Sequence, residues 1–340
     1  MLVGLTYDLR DDYLAQGYGK EETAELDKAD TIDGIDQALR SLGYNIRRIG
    51  NVRTLVELLA AGERWDIVFN IAEGLHGIAR ESQVPALLDA YRISYTFSDP
   101  TVLGVTLHKG MTKRLVRDMG IPTPDFAVIE KEEDLQGLSL PYPLFAKPVA
   151  EGTSKGISPL SLIHDQSRLH AACRDILERF RQPVLLETYL PGREFTVGIV
   201  GTGEKARAIG ALEVLMLDKA EMQAYSYLNK ADFEERIKYV LAEDETARQA
   251  IGIALRSWVG LGCRDCGRID LRCDARGVPN FMEVNPLAGL NPDISDLPIL
   301  CRQKGISFRD LIGMIMESAL ERVPAAGGSA VQAPSLALVP

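Results

Sequence analysis

Two short stretches near the end of the chain hold oxygen-bearing side chains at spacings that could do chemistry. In FMEVNPLAGLNP, residues 281–292, Phe281 to Val284 read as a buried strand. It stops abruptly at Asn285, a proline, a glycine and a second Asn-Pro, none of which continues a ladder. Glu283 and Asn285 lie two apart, so on a strand they share a face. Upstream, GRIDLRCD places Arg268, Asp270 and Arg272 on one face by the same period. The turn DARGVP between the stretches makes them antiparallel neighbours, so Asp270 can face Glu283 and Asn285. Two carboxylates and an amide oxygen on rigid strands are hard ligands that suit Mg²⁺ bridging phosphates. The plainer alternative is a pair of acids on a solvated sheet face.

A phosphate cradle would be the natural companion. KPVAEGTSKGIS carries Lys147 at a strand end, then Glu151-Gly152-Thr153-Ser154-Lys155-Gly156. Small residues let backbone N–H groups approach phosphate oxygens, and the hydroxyls add donors. Lys109 and Lys147 supply point charges. In LLETYLPGREFTV, Glu187 and Glu194 flank a Pro-Gly turn, where an acid could bond ribose hydroxyls. A flexible hairpin tip and exposed edge charges are the corresponding bland readings. Two other patterns carry little. GTGEKA, residues 201–206, fits a loose dinucleotide fingerprint but is followed by a strand-like run rather than a helix, so a hairpin turn is expected. Cys263 and Cys266 form a lone C-x-x-C with Cys273 nearby and no fourth ligand, which reads as small buried hydrophobes. The phosphate-loop pattern G-x-x-x-x-G-K-[ST] does not occur.

The elements that must position these residues alternate strand and helix over the first hundred positions. LVGLTY, YNIRRIG and WDIVFNIA read as strands; about 21–42, VRTLVELLAAG and ESQVPALLDAYRI as helices; SYTF as a short strand. That alternation predicts a doubly wound parallel lobe with ligands at the carboxyl ends of its strands. Beyond it, TLHKGMTKRLVRDMG reads as a helix, YPLFAKP as a strand and DQSRLHAACRDILERF as a helix. Antiparallel strands follow from about 184, with helices at 244–260 and 307–321. The expected division is 1–100, 101–182 and 183–322, with 323–340 a disordered tail.

The 340 residues allow two or three packed lobes. Lys plus Arg total 38 against 48 Asp plus Glu, a net charge of −10, which argues against nucleic acid as a partner. No run approaches the roughly 18 apolar residues of a membrane span, and the first residues lack the pattern of a signal peptide. A cytoplasmic protein with free thiols is expected.

Taken in order, Lys109, KPVAEGTSKG, LLETYLPGREFTV, GRIDLRCD and MEVNPLAGL resemble the ATP-grasp fold, specifically the D-alanine–D-alanine ligase family, over about residues 66–320. The resemblance implies an α/β ATP-grasp fold: an N-terminal doubly wound parallel lobe, a central α+β lobe and a C-terminal antiparallel-sheet lobe, with ATP between the last two. It implies a ligase that joins a carboxylate to an amine through an acyl phosphate, using ATP and two Mg²⁺ ions, for which Mn²⁺ could stand in. Carried over by motif, Lys109 and Lys147 would contact ATP phosphates. The stretch Thr188, Tyr189, Leu190 would read adenine through the backbone at Thr188 and Leu190. Glu187 would face the adenine amino group and Glu194 the ribose. Thr153 and Ser154 would lie in the loop closing over the γ-phosphate, and Lys230 resembles the lysine of a mobile lid. Asp270, Glu283 and Asn285 resemble the metal ligands; Arg268 and the Gly289 N–H resemble an oxyanion pair.

The departures from the family pattern all fall on the amino-acid side. The first loop, TYDLRDDYLAQGYGKEE, is acidic, and Asp8, Asp11, Asp12 or Glu25 could grip an ammonium. Glu73-Gly74 stands where the family has His-Gly, Ala231 replaces a tyrosine after the lid lysine, and the turn GLNPDISDLP, with Ser295, differs from the family's serine-bearing version. Small amino-acid or amine substrates other than a pair of D-alanines are therefore expected, with Glu73 meeting a substrate ammonium or Arg80. Genuine D-alanine–D-alanine ligation is the first alternative; a hydroxyl-phosphorylating ATP-grasp kinase or a non-catalytic ATP-binding protein is the second. A homodimer is compatible with all of these.

Overall fold

The computed structural model describes residues 1–216 and 237–323. Three sheets organise it. The first is parallel, in the order β2-β1-β3, from β1 (Leu2–Thr6), β2 (Asn45–Gly50) and β3 (Ile67–Asn70). Around it run α1 (Arg10–Ala15), α2 (Ala29–Ser41), α3 (Val52–Ala60) and α4 (Gln83–Ala90). β1 and β3 are all but fully buried, as their unbroken apolar runs require for strands covered on both faces. Asn51 caps α3 by accepting the N–H groups of Arg53 and Thr54. The expected helix from 21 begins at Ala29, because 20–26 folds as turns. The expected strand SYTF is only an isolated bridge between Tyr95 and Val68.

The stretch expected as one helix around Lys109 is two, α5 (Pro100–Leu107) and α6 (Lys109–Asp118), broken at His108. His108 leaves helical geometry and caps α6 with its ring, accepting the Met111 N–H. The second sheet is antiparallel, in the order β4-β7-β5-β6: β4 (Phe126–Ile129), β5 (Leu144–Pro148), β6 (Leu162–Ile163) and β7 (Val184–Thr188). Helix α7 (Gln166–Phe180) covers it, capped by Asp165. Since β7 pairs with β4 and β5, this sheet runs past residue 182, where the sequence reading placed a boundary.

The third sheet, in the order β10-β9-β8-β11-β12, is antiparallel: β8 (Glu194–Val200), β9 (Arg207–Met216), β10 (Ile237–Leu241), β11 (Cys266–Cys273) and β12 (Pro279–Asn285). The GTGEKA stretch is the β8–β9 hairpin turn. Gly201 sits at φ +99°, and a Cβ there would meet the Lys205 carbonyl oxygen at 2.4 Å. Helix α8 (Glu245–Leu261) packs on this sheet through fully buried Trp258. Helices α9 (Asp296–Gln303) and α10 (Phe308–Leu320) close the chain.

One core joins the first and third sheets: Leu5, Ile35 and Phe69 belong to the same apolar cluster as Leu300, Ile312 and Ile315. The second sheet has a core of its own, centred on Leu144, Ile163, Ile176 and Leu186. All five cysteines are free and buried, as small hydrophobes are. Among the described residues, no helix is long and apolar enough to cross a membrane. Lys230, Ala231 and the tail beyond Val323 lie outside the described residues.

Candidate active site

The register of β11 against β12 sets Asp270 opposite Glu283 and Arg268 opposite Asn285. A bulge after Asp270 separates this register from the rest of the ladder, and bulges next to active sites re-aim side chains. Asp270 accepts hydrogen bonds from Asn285 Nδ2 at 2.9 Å, from Arg268 Nη2 at 3.0 Å and from the Thr196 hydroxyl. Arg268 also reaches Asp296 Oδ2 at 3.2 Å, while its Nε is buried without a partner. Burial pushes the Asp270 carboxyl up; Arg268 opposes this and Glu283 reinforces it. Burial acts the same way on Glu283, but Lys109, Lys147 and Arg268 outweigh it and hold that carboxyl below its usual range. Two facing carboxylates that repel each other, with the Asn285 amide oxygen beside them, fit a divalent cation.

Two lysines converge on this cluster from other elements. Lys109, at the start of α6, puts Nζ 3.6 Å from Glu283 Oε2 and 2.6 Å from the Glu151 carbonyl. Lys147, on β5, lies 2.9 Å from Glu187 Oε1. The sequence reading missed the third member: Lys113, one turn after Lys109, is fully buried 2.9 Å from Glu187 Oε2. Between two ammonium groups the Glu187 carboxyl drops to about 2: burial would raise it, but Lys113 and Lys147 prevail. The i, i+4 spacing of Lys109 and Lys113 was the one available signal.

Along β7 and its exit, the Thr188 N–H is committed to the Asp125 carbonyl and the Tyr189 N–H to Pro143. Of the expected adenine-reading donors, this leaves the Leu190 N–H, which has no protein partner among the described residues. Glu194 sits 3.4 Å from Arg272 Nη1, and Arg272 also donates to the Tyr189 hydroxyl and stacks 4.9 Å from its ring centroid. Arg272 thereby ties the two flanks of the Pro191-Gly192 turn together. The loop after β5 holds Thr153 at φ +51° and Ser154 at φ +58°, two non-glycine residues in the left-handed region. Such backbone clusters at ligand clamps. Gly156 follows at φ +79°, where a Cβ would lie 2.5 Å from Pro148 Cγ.

Next to the Asp270–Glu283 pair, the Gly289 N–H has no protein partner among the described residues, and a Cβ on Gly289 would approach Ser295 Oγ to 3.0 Å. Ser295 Oγ accepts the Asn291 N–H, closing the turn before α9. The expected site residues among these, but not Lys113, line one cavity of about 770 Å³. Its far end is acidic. Glu25 accepts from Arg80 Nη2 and the Gly152 N–H. Of the four candidates in the first loop, Glu25 lines this cavity and Asp8, Asp11 and Asp12 do not; Asp8 accepts from the Tyr13 hydroxyl and the Gly74 N–H, and Asp11 and Asp12 are exposed on α1. Arg80 is committed to Glu25 and the Ala150 carbonyl rather than to Glu73. Glu73 and Glu81 line the same end.

The description "D-ala D-ala ligase C-terminus" matches residues 115–317 of the chain. The D-alanine–D-alanine ligase of Bordetella petrii is 31% identical over 295 residues, covering 85% of this chain and 86% of that protein. An uncharacterized protein, y4sG, of Sinorhizobium fredii is 31% identical over 265 residues, 75% of each chain. Among solved structures, the D-alanine–D-alanine ligase of Bacillus anthracis complexed with ATP superposes with a TM-score of 0.71 at 22% identity, over 94% of this chain and 98% of that one. The VanG D-Ala:D-Ser ligase of Enterococcus faecalis gives 0.72 at 16% identity, over 94% and 99%. The chain belongs to the D-alanine–D-alanine ligase family, ATP-dependent ligases of ATP-grasp fold that form C–N bonds. The expected fold stands with it.

Proposed function

We propose that the chain activates the carboxylate of one small amino acid with ATP and joins it to the amine of a second molecule, with substrates other than two D-alanines. The observation that carries this reading is the β11–β12 junction. There the Asp270–Glu283 pair, the Arg268 guanidinium and the partnerless Gly289 N–H face one cavity with Lys109 and Lys147. Lys109 and Lys147 offset the charge that crowds when a carboxylate meets a polyphosphate. Asp270, Glu283 and the Asn285 amide oxygen would hold two Mg²⁺ ions, which supply Lewis-acid stabilisation of phosphoryl oxygens. The Leu190 N–H receives the base, Glu194 the ribose, and Glu187 shares its charge between the lysines and the adenine amino group. The Thr153–Ser154 loop closes on the γ-phosphate and keeps water from the acyl phosphate. When the amine attacks, Arg268 and the Gly289 N–H stabilise the oxyanion. Nucleotide lies between the lobes of the second and third sheets.

A kinase acting on a hydroxyl would have no oxyanion for Arg268 and Gly289, which disfavours that reading. The test is phosphate release with a panel of amino-acid and amine pairs, with mass spectrometry of the products. An amide product with stoichiometric phosphate is expected. A phosphorylated product, or ATP binding without turnover on any pair, overturns the proposal.

A further inference from the structure

The acidic end of the cavity holds two carboxylates that nothing in the fold accounts for. Glu81 is 9% exposed and lines the cavity, yet makes no hydrogen bond or ion pair with any described residue. Glu73 lines the same end, is partly buried, and likewise has no partner among the described residues. Three cations at this end are already engaged. Arg80 bonds Glu25 and the Ala150 carbonyl, Lys155 pairs with Glu151, and Lys109 bonds the Glu151 carbonyl. A buried, unpaired carboxylate is unfavourable and gives up its charge unless a cation meets it. Both tendencies show: burial pushes Glu81 up to about 7, against Arg80 and with Glu25, and burial with Glu81 beside it raises Glu73 well above its usual range.

We propose that Glu73 and Glu81 form a subsite for an organic cation, and that the carboxyl-donating substrate is an amino acid bearing a second positive group on its side chain. This rests on the ligase reading above. Lys109 places the subsite on the donor. It touches Glu283 of the metal cluster and lines the same cavity as Glu73 and Glu81. A donor whose carboxylate meets the phosphate end therefore extends toward Glu73 and Glu81. An α-ammonium satisfies one carboxylate, and the pair leaves room for a second cation.

Hydroxylamine isolates the donor step. The carboxylate takes the γ-phosphoryl group of ATP to give an acyl phosphate and ADP. Hydroxylamine nitrogen then forms the new C–N bond as the C–O bond to phosphate breaks, yielding a hydroxamate and inorganic phosphate. Both enantiomers of alanine, 2,4-diaminobutyrate and lysine would be run with ATP and Mg²⁺. Calorimetry would measure binding of the same amino acids, and of ADP as a check of folding. At least one diamino acid is expected to exceed alanine ten-fold or more in kcat/KM. Glu81→Gln and Glu73→Gln, assayed separately so that one misfolded variant does not decide the outcome, should each weaken diamino-acid binding by about ten-fold while ADP still binds. Alanine equal to or better than every diamino acid overturns the subsite and leaves the ligase intact. Hydroxamate from no donor at all overturns both.

Discussion

At the scale of single residues, the site sets charges against each other in a partly buried cavity. Asp270 and Glu283 face each other across β11 and β12, so neutralising either removes half of the anionic pair that would hold metal. Asp270→Asn or Glu283→Gln should lower turnover by about 10² or more at saturating ATP and Mg²⁺; unchanged steady-state rates would contradict the assignment. Arg268 pairs with Asp270 and Asp296 and keeps one buried nitrogen unused. Arg268→Ala should leave nucleotide affinity within a few-fold and depress product formation by about 3–4 kcal/mol of transition-state stabilisation. Loss of ATP affinity with normal turnover of the bound complex would give the arginine a different role. Glu187 adds a pH dependence. Its carboxyl titrates at about 2 in the fold against an ordinary 4.5. The stability it contributes is therefore complete above about pH 4.5 and lost as the pH falls toward 2. Acid unfolding of Glu187→Gln should lack that component.

At the scale of elements, what the sequence revealed depended on period. The facing of Asp270, Glu283 and Asn285 was legible because Glu283 and Asn285 sit two apart on a strand that stops at a proline, and a short turn sets that strand against the one carrying Asp270. The hairpin turn at Gly201 was legible because no helix pattern follows it. Glu25 could not be separated from Asp8, Asp11 and Asp12, because the loop from Tyr7 to Glu25 has no period. Only the fold separates them, by placing Glu25 and none of the other three on the cavity wall. Lys113 and Asp296 went unread for a related reason: each matters through a partner supplied by another element, Glu187 and Arg268. The α5–α6 break was hidden because His108 caps a helix through its ring rather than through one of the usual small polar side chains. Element geometry also bears directly on stability. Trp258 fills the face of α8 against the third sheet and is fully buried, so Trp258→Ala should cost about 3–5 kcal/mol in denaturant unfolding. A loss below about 1 kcal/mol would show that α8 repacks.

At the scale of the whole molecule, the distribution of cores decides which part can move. The first and third sheets share one apolar cluster that runs from Leu5 and Phe69 to Leu300 and Ile315, so separating them would expose a core. The second sheet closes its own cluster around Leu144, Ile176 and Leu186. Its ties to the rest include a few polar contacts: Gly152 N–H to Glu25, the Lys109 ammonium to the Glu151 carbonyl, and Arg179 to Glu21. Packed cores resist deformation, whereas polar links can be exchanged for water or ligand at little net cost. The central lobe is therefore expected to be the part that closes on a nucleotide, carrying Lys147 and the Thr153–Ser154 loop toward Asp270 and Glu283, although the buried Lys113–Glu187 pair and a small apolar contact of Val149 and Ala150 with Leu107 also hold it. Hydrogen exchange should report this. Adding ADP with Mg²⁺ should increase protection in peptides spanning about 144–190, while β1, β3 and α10 keep the rates they have without nucleotide. Equal changes in the α2–α10 interface would mean that the shared core opens as well, and that closure is not a movement of the central lobe alone.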